Sequence, residues 1–295
     1  MTSDYPLVSV VLSTYNDEEY IREAIESVIN QSFRNFEFII WNDGSLDSTE
    51  EIVKSFKDER IRYFYHENTG LGKALYFACN EAKGKYIARI DGDDICLPYR
   101  LEKEVSFLES HPEVVLVSSS VFYIDKNGDI IGRSYPWTWN RNIKRQLNIV
   151  HPATMFRRDV YEKTCGYQDL KSAQDRILWS KMAKHGKFSI IGKPLIYYRW
   201  IYDSLSHIID AKSPYAKMLE ILRKKICEDE IISPVDIELH NTLYLLSKKE
   251  IQIRGCEYKK KKEEVLGERL IKIIGERKTT QLMVFLKNIY AYLRY

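Results

Sequence analysis

The sequence predicts an α/β fold, a mainly parallel sheet flanked by helices, followed by a helical C-terminal appendage. Three observations carry that prediction. Short β-branched apolar runs alternate with amphipathic stretches four times within the first 95 residues. The runs are apolar at successive positions rather than every second one, the pattern of strands buried on both faces. From about Ser213 onward the pattern is helical to the end.

Taken in order, residues 7–13 form the first strand. A helix follows, with Asn16 as N-cap, Glu19 completing a capping box, and Tyr20, Ala24, Ile25 and Val28 at helical spacing. Residues 36–41 form the second strand, and Ser48 and Glu51 open a helix that buries Ile52, Val53 and Phe56. Residues 61–65 form the third strand, residues 71–82 a helix, and residues 86–90 a fourth strand that runs into Asp91-Gly92-Asp93-Asp94. The period then changes. Residues 97–108 read as a helix, 114–121 as a strand, and 122–131 as a hairpin around Asn127-Gly128. Residues 135–206 are less regular and rich in Trp, Tyr, Arg and His, which suits a substrate-facing region. Four helical stretches follow, marked by Met218 to Leu222, Leu239 to Leu246, Val265 to Ile274, and Leu282 to Leu293.

Composition narrows the classes. The chain has 295 residues, 44% hydrophobic, with 13 Gly and 8 Pro, so disorder and low-complexity states are excluded. The length suits one large domain, or one domain with an appendage. Cys79, Cys96, Cys165, Cys227 and Cys256 are scattered singly, which argues against a disulfide framework or a thiolate zinc site and fits a reducing, cytoplasmic compartment. The first 20 residues lack the basic start of a signal peptide, and no apolar run reaches the ~18 residues of a membrane span.

Ligands of parallel α/β sheets bind at the carboxyl ends of the strands. Three such ends here are polar: Thr14-Tyr15-Asn16-Asp17, Asn42-Asp43-Gly44-Ser45 and Asp91-Gly92-Asp93-Asp94. Asp91 and Asp93 offer hard oxygen donors two residues apart, a pattern that suits Mn2+ or Mg2+. Ordinary turn chemistry is the competing reading, and a third acid, Asp94, favours a cation because the cluster otherwise repels itself. The Gly92-Asp93-Asp94 triplet also matches template-directed polymerases, but it ends a strand of a strand-helix series rather than sitting in an antiparallel hairpin. The net charge of +3 gives no nucleic-acid footprint. Asp43 is either a turn or helix cap, or an acceptor at a nucleotide site.

Residues 10–16, 42–49, 68–74 and 90–94 resemble, in that order, the successive motifs of the family 2 inverting glycosyltransferases with the GT-A fold. The likeness covers roughly residues 1–211, with a nucleotide-sugar half at about 1–95 and an acceptor half at about 96–211; residues 212–295 form the helical extension. The resemblance implies that Asp43 holds uracil, Asp91 and Gly92 meet the ribose side of a UDP-sugar, and Asp93 binds the metal. It places Thr14, Tyr15 and Asn16 around the base and Lys73 near the nucleotide. Downstream, Gln174-Asp175-Arg176-Ile177-Leu178-Trp179 resembles the segment that carries the general base, Asp175, with Gln174 standing where Glu is usual. On a helix Asp175, Leu178 and Trp179 share a face, so an apolar wall would raise the carboxyl pKa. His151 would face the acceptor sugar, a buried hydrogen-bonded histidine being the alternative. Arg199 would meet the diphosphate. Ile201 stands where some members carry a histidine, which leaves His207 as a second metal ligand. Trp137, Trp139, Trp179 and Trp200 are candidate acceptor contacts, core packing being the competing reading.

The implied activity is inverting transfer of a sugar from a UDP-sugar to a saccharide acceptor in surface polysaccharide synthesis, such as an O-antigen or capsule repeat on undecaprenyl diphosphate. Two other classes compete. A sugar-nucleotide nucleotidyltransferase would need a Gly-rich basic loop after the first strand, where Thr14-Tyr15-Asn16-Asp17 stands instead. A non-catalytic sugar or membrane-binding module would not need Asp43, Asp91, Asp93 and Asp175 together. Residues 1–211 carry 27 basic and 30 acidic side chains, and residues 212–295 carry 18 and 12. The basic tail suits either peripheral contact with anionic lipid, or a solvated face or homo-oligomer contact.

Overall fold

The computed structural model describes residues 5–134, 149–200 and most of 219–245. Nine strands in the described residues form one sheet: β1 (Val8–Thr14), β2 (Phe36–Asn42), β3 (Ile61–Tyr65), β4 (Tyr86–Asp91), β5 (Ile95–Cys96), β6 (Val114–Ile124), β7 (Ile130–Arg133), β8 (Thr154–Arg157) and β9 (Lys187–Arg199). Their order is β3-β2-β1-β4-β8-β6-β9-β5, with β7 beside β6. The first four are parallel, and β1 and β2 are buried at every position, which is why their sequences are apolar without alternation.

Helices α1 (Ile21–Ile29), α2 (Thr49–Ser55) and α4 (Arg100–Ser110) cover one face of the sheet, burying Ile21, Ile25, Val28, Val53, Leu101 and Leu108. On the other face α3 (Leu71–Asn80), α5 (Arg158–Lys163) and α6 (Gln174–Met182) bury Ala74, Leu75, Ala78, Val160, Leu178 and Met182. The fold class thus agrees with the sequence expectation, and the hairpin turns at Gly128 with φ of 89°. Beyond β4 the sheet becomes mixed: β8 runs antiparallel to β4 and β6, and β9 is parallel to β6.

Two local readings are corrected. Asn16 is not an N-cap. It adopts the left-handed region at φ 57°, its N–H donates to Ser45 Oγ at 3.0 Å, and its Oδ1 accepts from Leu46 N at 2.8 Å. The first helix instead starts at Ile21, where the Asp17 carbonyl accepts from Tyr20 N and Ile21 N. Ties across to the β2–α2 loop outweigh the local cap. The helix expected from residue 97 starts at Arg100 because Ile95 and Cys96 pair with β9 first. Ser48 is the N-cap position of α2, as read.

The described residues between 219 and 241 cluster with those between 5 and 200 as one compact unit. Among the described residues no helix is long and apolar enough to cross a membrane.

Candidate active site

The parallel register brings the polar strand ends together: Thr14 pairs with Asn42, and Ser13 with Asp91. Thr14 Oγ1 donates to Asp17 Oδ2 at 2.7 Å, which holds the Asp17 carboxylate against Gly92. A Cβ at residue 92 would lie 3.0 Å from Asp17 Cγ and closer still to Oδ2. Glycine between the two aspartates leaves room for this approach. Burial pushes the Asp17 carboxyl up to about 6; the bond from Thr14 opposes the rise and the Asp91 charge adds to it. Sequence reading quoted Asp17 without giving it a role. Its place at a polar strand end was the available signal.

Carboxylate oxygens of Asp91, Asp93 and Asp94 lie within 4.8 Å of one another. Burial, then the charges of Asp91 and Asp17, push the Asp93 carboxyl up to about 7. Asp94 is fully buried and pushed well above the carboxylate range by burial and by Asp93. One of its oxygens accepts from Arg199 N at 2.8 Å; the other has no partner among the described residues. Beneath them lies Arg89, 1% exposed, ion-paired through Nη2 to Asp91 Oδ1. Burial opposes its charge, but Asp91, Tyr167 and Asp94 together outweigh burial, so Arg89 stays charged. Its Nε and Nη1 have no hydrogen-bond partner among the described residues. Sequence reading missed Arg89 as well, because it occupies an apolar-run position. The raised carboxyls show that Arg89 alone does not neutralise these acids, which then hold protons where no other counter-charge is at hand. Hard oxygen donors with unneutralised charge fit a divalent cation, with Asp91 and Asp93 the accessible pair and Asp94 enclosed.

Arg199 is engaged by protein on every guanidinium nitrogen. Nε donates to Asp93 O at 2.9 Å, Nη1 to Asp125 O and Lys126 O at 3.1 Å each, and Nη2 to Glu23 Oε2 at 2.8 Å. In this arrangement it fastens the Asp93–Asp94 backbone to α1 and the hairpin. Asp43, 3% exposed, accepts from Thr69 N (2.9 Å), Thr69 Oγ1 (3.0 Å) and Gly70 N (2.8 Å), tying down the loop that leads into α3. That is the cap-like alternative read from the sequence, built at the edge of the same strand ends. Tyr15 is exposed beside it, and Lys73 pairs with Asp169 at 3.0 Å.

On the acceptor side α6 begins after Ala173, a non-glycine residue at φ 57°. Asp175 Oδ1 accepts from Arg176 N at 2.8 Å, and burial pushes its carboxyl above the usual range against the opposing charges of Arg176 and Arg89. Leu178 and Trp179, one turn on, are buried as the helical spacing requires. Gln174 is buried, and its Oε1 has no partner among the described residues. His151 Nε2 and Tyr167 OH hydrogen-bond at 2.8 Å, and the His151 ring meets Trp179 edge-on at 5.9 Å. Burial holds the imidazole well below its ordinary pKa, so it is neutral. Trp200 packs edge-on against Tyr123 at 5.5 Å, and its backbone N–H donates to Ile124 O at 2.8 Å. Trp137, Trp139 and His207 lie outside the described residues.

With the site in place, comparison with known proteins is informative. The sequence model of glycosyl transferase family 2 matches residues 9–164. An uncharacterised glycosyltransferase of Methanocaldococcus jannaschii is 40% identical over 207 residues, 66% of this chain and 71% of that one. Another, of Haemophilus influenzae, is 33% identical over 265 residues, covering 82% and 80%. Among solved structures, S. aureus TarS 1–349 in complex with UDP-GlcNAc superposes with a TM-score of 0.63 at 21% identity, over 80% of this chain and 71% of that one. Mannosyltransferase PcManGT from Pyrobaculum calidifontis, in complex with GDP-Man and Mn2+, gives 0.53 at 16% identity, over 99% and 82%. At these identities the structures speak for the fold. Ordered motifs, sheet topology and family match agree: the chain belongs to glycosyl transferase family 2 and has its GT-A fold.

Proposed function

We propose that this glycosyltransferase moves a sugar from a UDP-sugar to a hydroxyl of a saccharide acceptor, with inversion at the anomeric carbon. The observation that carries the reading is the pairing of two carboxylate environments. One is a crowded acid cluster at the strand ends; the other is a single carboxyl, Asp175, raised by burial at the start of α6. Arg89 bears electrostatically on both.

In the proposed step Asp175 accepts the proton of the acceptor hydroxyl. The acceptor oxygen bonds to the anomeric carbon as the carbon–oxygen bond to the diphosphate breaks, and the electron pair leaves with UDP. One displacement gives inversion, with no carboxylate nucleophile. Asp91 and Asp93 would hold a divalent cation, Mn2+ or Mg2+, whose chemistry when bound is to neutralise the departing diphosphate. Asp43, Thr14, Tyr15 and Asn16 border the base pocket in this reading, with Asp91 and Gly92 on the ribose side. Lys73 and Arg199 support the nucleotide side through the loops they fasten. His151, Trp179 and Trp200 form the acceptor side, and His207 is proposed as a further metal ligand. TarS in complex with UDP-GlcNAc and PcManGT in complex with GDP-Man and Mn2+ support a nucleotide-sugar donor. The acceptor we favour is a saccharide carried on a lipid diphosphate, because the basic tail suits an anionic surface; the enzyme would then work at the cytoplasmic side of a membrane.

The test is a panel of UDP-, GDP- and dTDP-sugars scored with Mn2+ for slow hydrolysis, which needs no acceptor. UDP released by the wild type and not by Asp93→Ala supports the proposal. Release of GDP alone would move the donor class, and pyrophosphate release would replace transfer by nucleotidyl chemistry.

A further inference from the structure

The loop that delivers Asp175 is held from two sides. Residues 167–173 connect Tyr167, 2% exposed, to α6, and Leu170 within them is equally buried. On the inner side this loop packs on the start of α3. A Cβ at Gly72 would lie 2.9 Å from Leu170 O and 3.1 Å from Leu170 N, so only a glycine lets the two backbones meet there. Asp169 pairs with Lys73 at 3.0 Å, and the Lys171 ammonium reaches Gly70, where a Cβ would be 3.2 Å from Nζ. Gly70 is also the residue whose N–H Asp43 accepts. The loop thus joins the nucleotide-side wall to the base helix.

On the outer side stands Asn241, in the helical residues 236–242. Its Oδ1 accepts from Lys171 N at 2.8 Å and its Nδ2 donates to Asp169 O at 3.0 Å. One carboxamide therefore satisfies the backbone on both sides of Leu170, as a neighbouring strand would. The adjacent His240 is fully buried, which anchors the helix that presents the carboxamide. Two residues after Lys171 the chain takes the left-handed turn at Ala173, a conformation that a non-glycine residue keeps only when its surroundings impose it. Asn241 lies outside residues 9–164, so this contact is not part of what the family model matches.

We infer that Asn241 is a positioning residue: through Asp169 and Lys171 the C-terminal helix sets the loop that places Asp175 against the nucleotide-side wall. This rests on the glycosyltransferase reading for its catalytic consequence, while the anchoring stands apart from it. Misplacement of a reacting group by about 1 Å can cost ~10²-fold in rate. A base shifted in this way lowers turnover and leaves ground-state nucleotide binding alone.

The experiment uses the full chain with Asn241→Ala and Asn241→Asp. The second keeps size and the acceptor for Lys171 N–H but sets a carboxylate against the Asp169 carbonyl, so it serves where the alanine variant folds poorly. Peptide-resolved hydrogen exchange should show faster exchange at residues 169–175 and wild-type exchange in β1 and β4. Turnover of the nucleotide sugar found by the panel should fall by about 10- to 100-fold, with UDP affinity in Mn2+ unchanged, and Asn241→Asp should fall between wild type and alanine. Wild-type exchange at 169–175, or turnover equal to wild type in both variants, overturns the inference. An inactive wild-type chain would overturn the transferase reading instead, and the exchange measurement would still decide the anchoring.

Discussion

Arg89 and Asp91 form an ion pair across the floor of the acid cluster, the arginine 1% exposed and the aspartate side chain 31% exposed. The asymmetry has a consequence for stability. Asp91→Ala leaves a charged guanidinium buried, with no partner for any of its nitrogens among the described residues. Breaking a buried pair in this way costs roughly 3–5 kcal/mol, and the partial exposure of Asp91 puts the expected loss near the lower end, about 3 kcal/mol. Asp93→Ala removes a carboxyl crowded by Asp91 and Asp17, so its folded form should be as stable as wild type or more so. Both variants should lose donor-dependent turnover. Urea unfolding separates them: an Asp91→Ala chain as stable as wild type would remove Arg89 from this account.

The same crowding makes stability pH-dependent. The carboxyls of Asp17 and Asp93 are pushed up to about 6 and about 7, by burial first. Between the ordinary carboxylate value and those values the folded chain keeps protons that the unfolded chain releases. Their contribution is thus fully present at about pH 4 and lost as pH rises through 6 to 7. A divalent cation replaces those protons as counter-charge. Mn2+ should therefore raise the melting temperature more at about pH 8 than at about pH 5. An equal or larger shift at the lower pH would count against Asp91 and Asp93 as the cation's ligands.

Gly92→Ala tests the close approach of Asp17. The new Cβ would run into a carboxylate that Thr14 holds from the other side, so the turn carrying Asp91 and Asp93 has to shift. A stability loss of about 1–3 kcal/mol is expected from the overpacking, with a drop in turnover on the order of 10²-fold from the displaced acids. Adding Asp17→Ala makes room, and should recover stability without recovering turnover. If the double variant is no more stable than Gly92→Ala, the clash lies elsewhere.

The parallel half of the fold was legible because its strands are buried on both faces and so are apolar throughout, as β1 and β2 show. The acid cluster at the end of β4 was legible because Asp91, Asp93 and Asp94 fall within four positions at the end of an apolar run. What escaped was set by distant partners. Asn16 obeys the local rule for a helix cap, yet its side chain is claimed by Leu46, thirty residues away in sequence. Arg89 sits in an apolar run, and its pairing with Asp91 depends on a strand conformation that places i and i+2 on one face. The mixed half of the sheet depends on β9, which pairs with β6 along its length from residues more than seventy positions apart. Asn241 belonged to a tail read as separate, and its partners at Asp169 and Lys171 carry no sequence signal, because they are backbone groups.

Asp175→Asn probes the chemistry with the least disturbance. The amide is isosteric and its oxygen can still accept from Arg176 N, so the start of α6 should be unchanged. What is lost is the ability to take a proton, and a positioned base is worth roughly 10²–10⁴-fold. Transfer to a saccharide acceptor should fall by that factor while UDP binding in Mn2+ stays as in the wild type. The pH profile supplies a second signature. Burial raises the Asp175 carboxyl, so the wild-type rate should be lost on the acid side through a value above that of an ordinary aspartate, as protonation removes the base. The residual rate of Asp175→Asn should lack that limb. A variant that retains the same acid limb, or transfers at the wild-type rate, would assign the base to another residue.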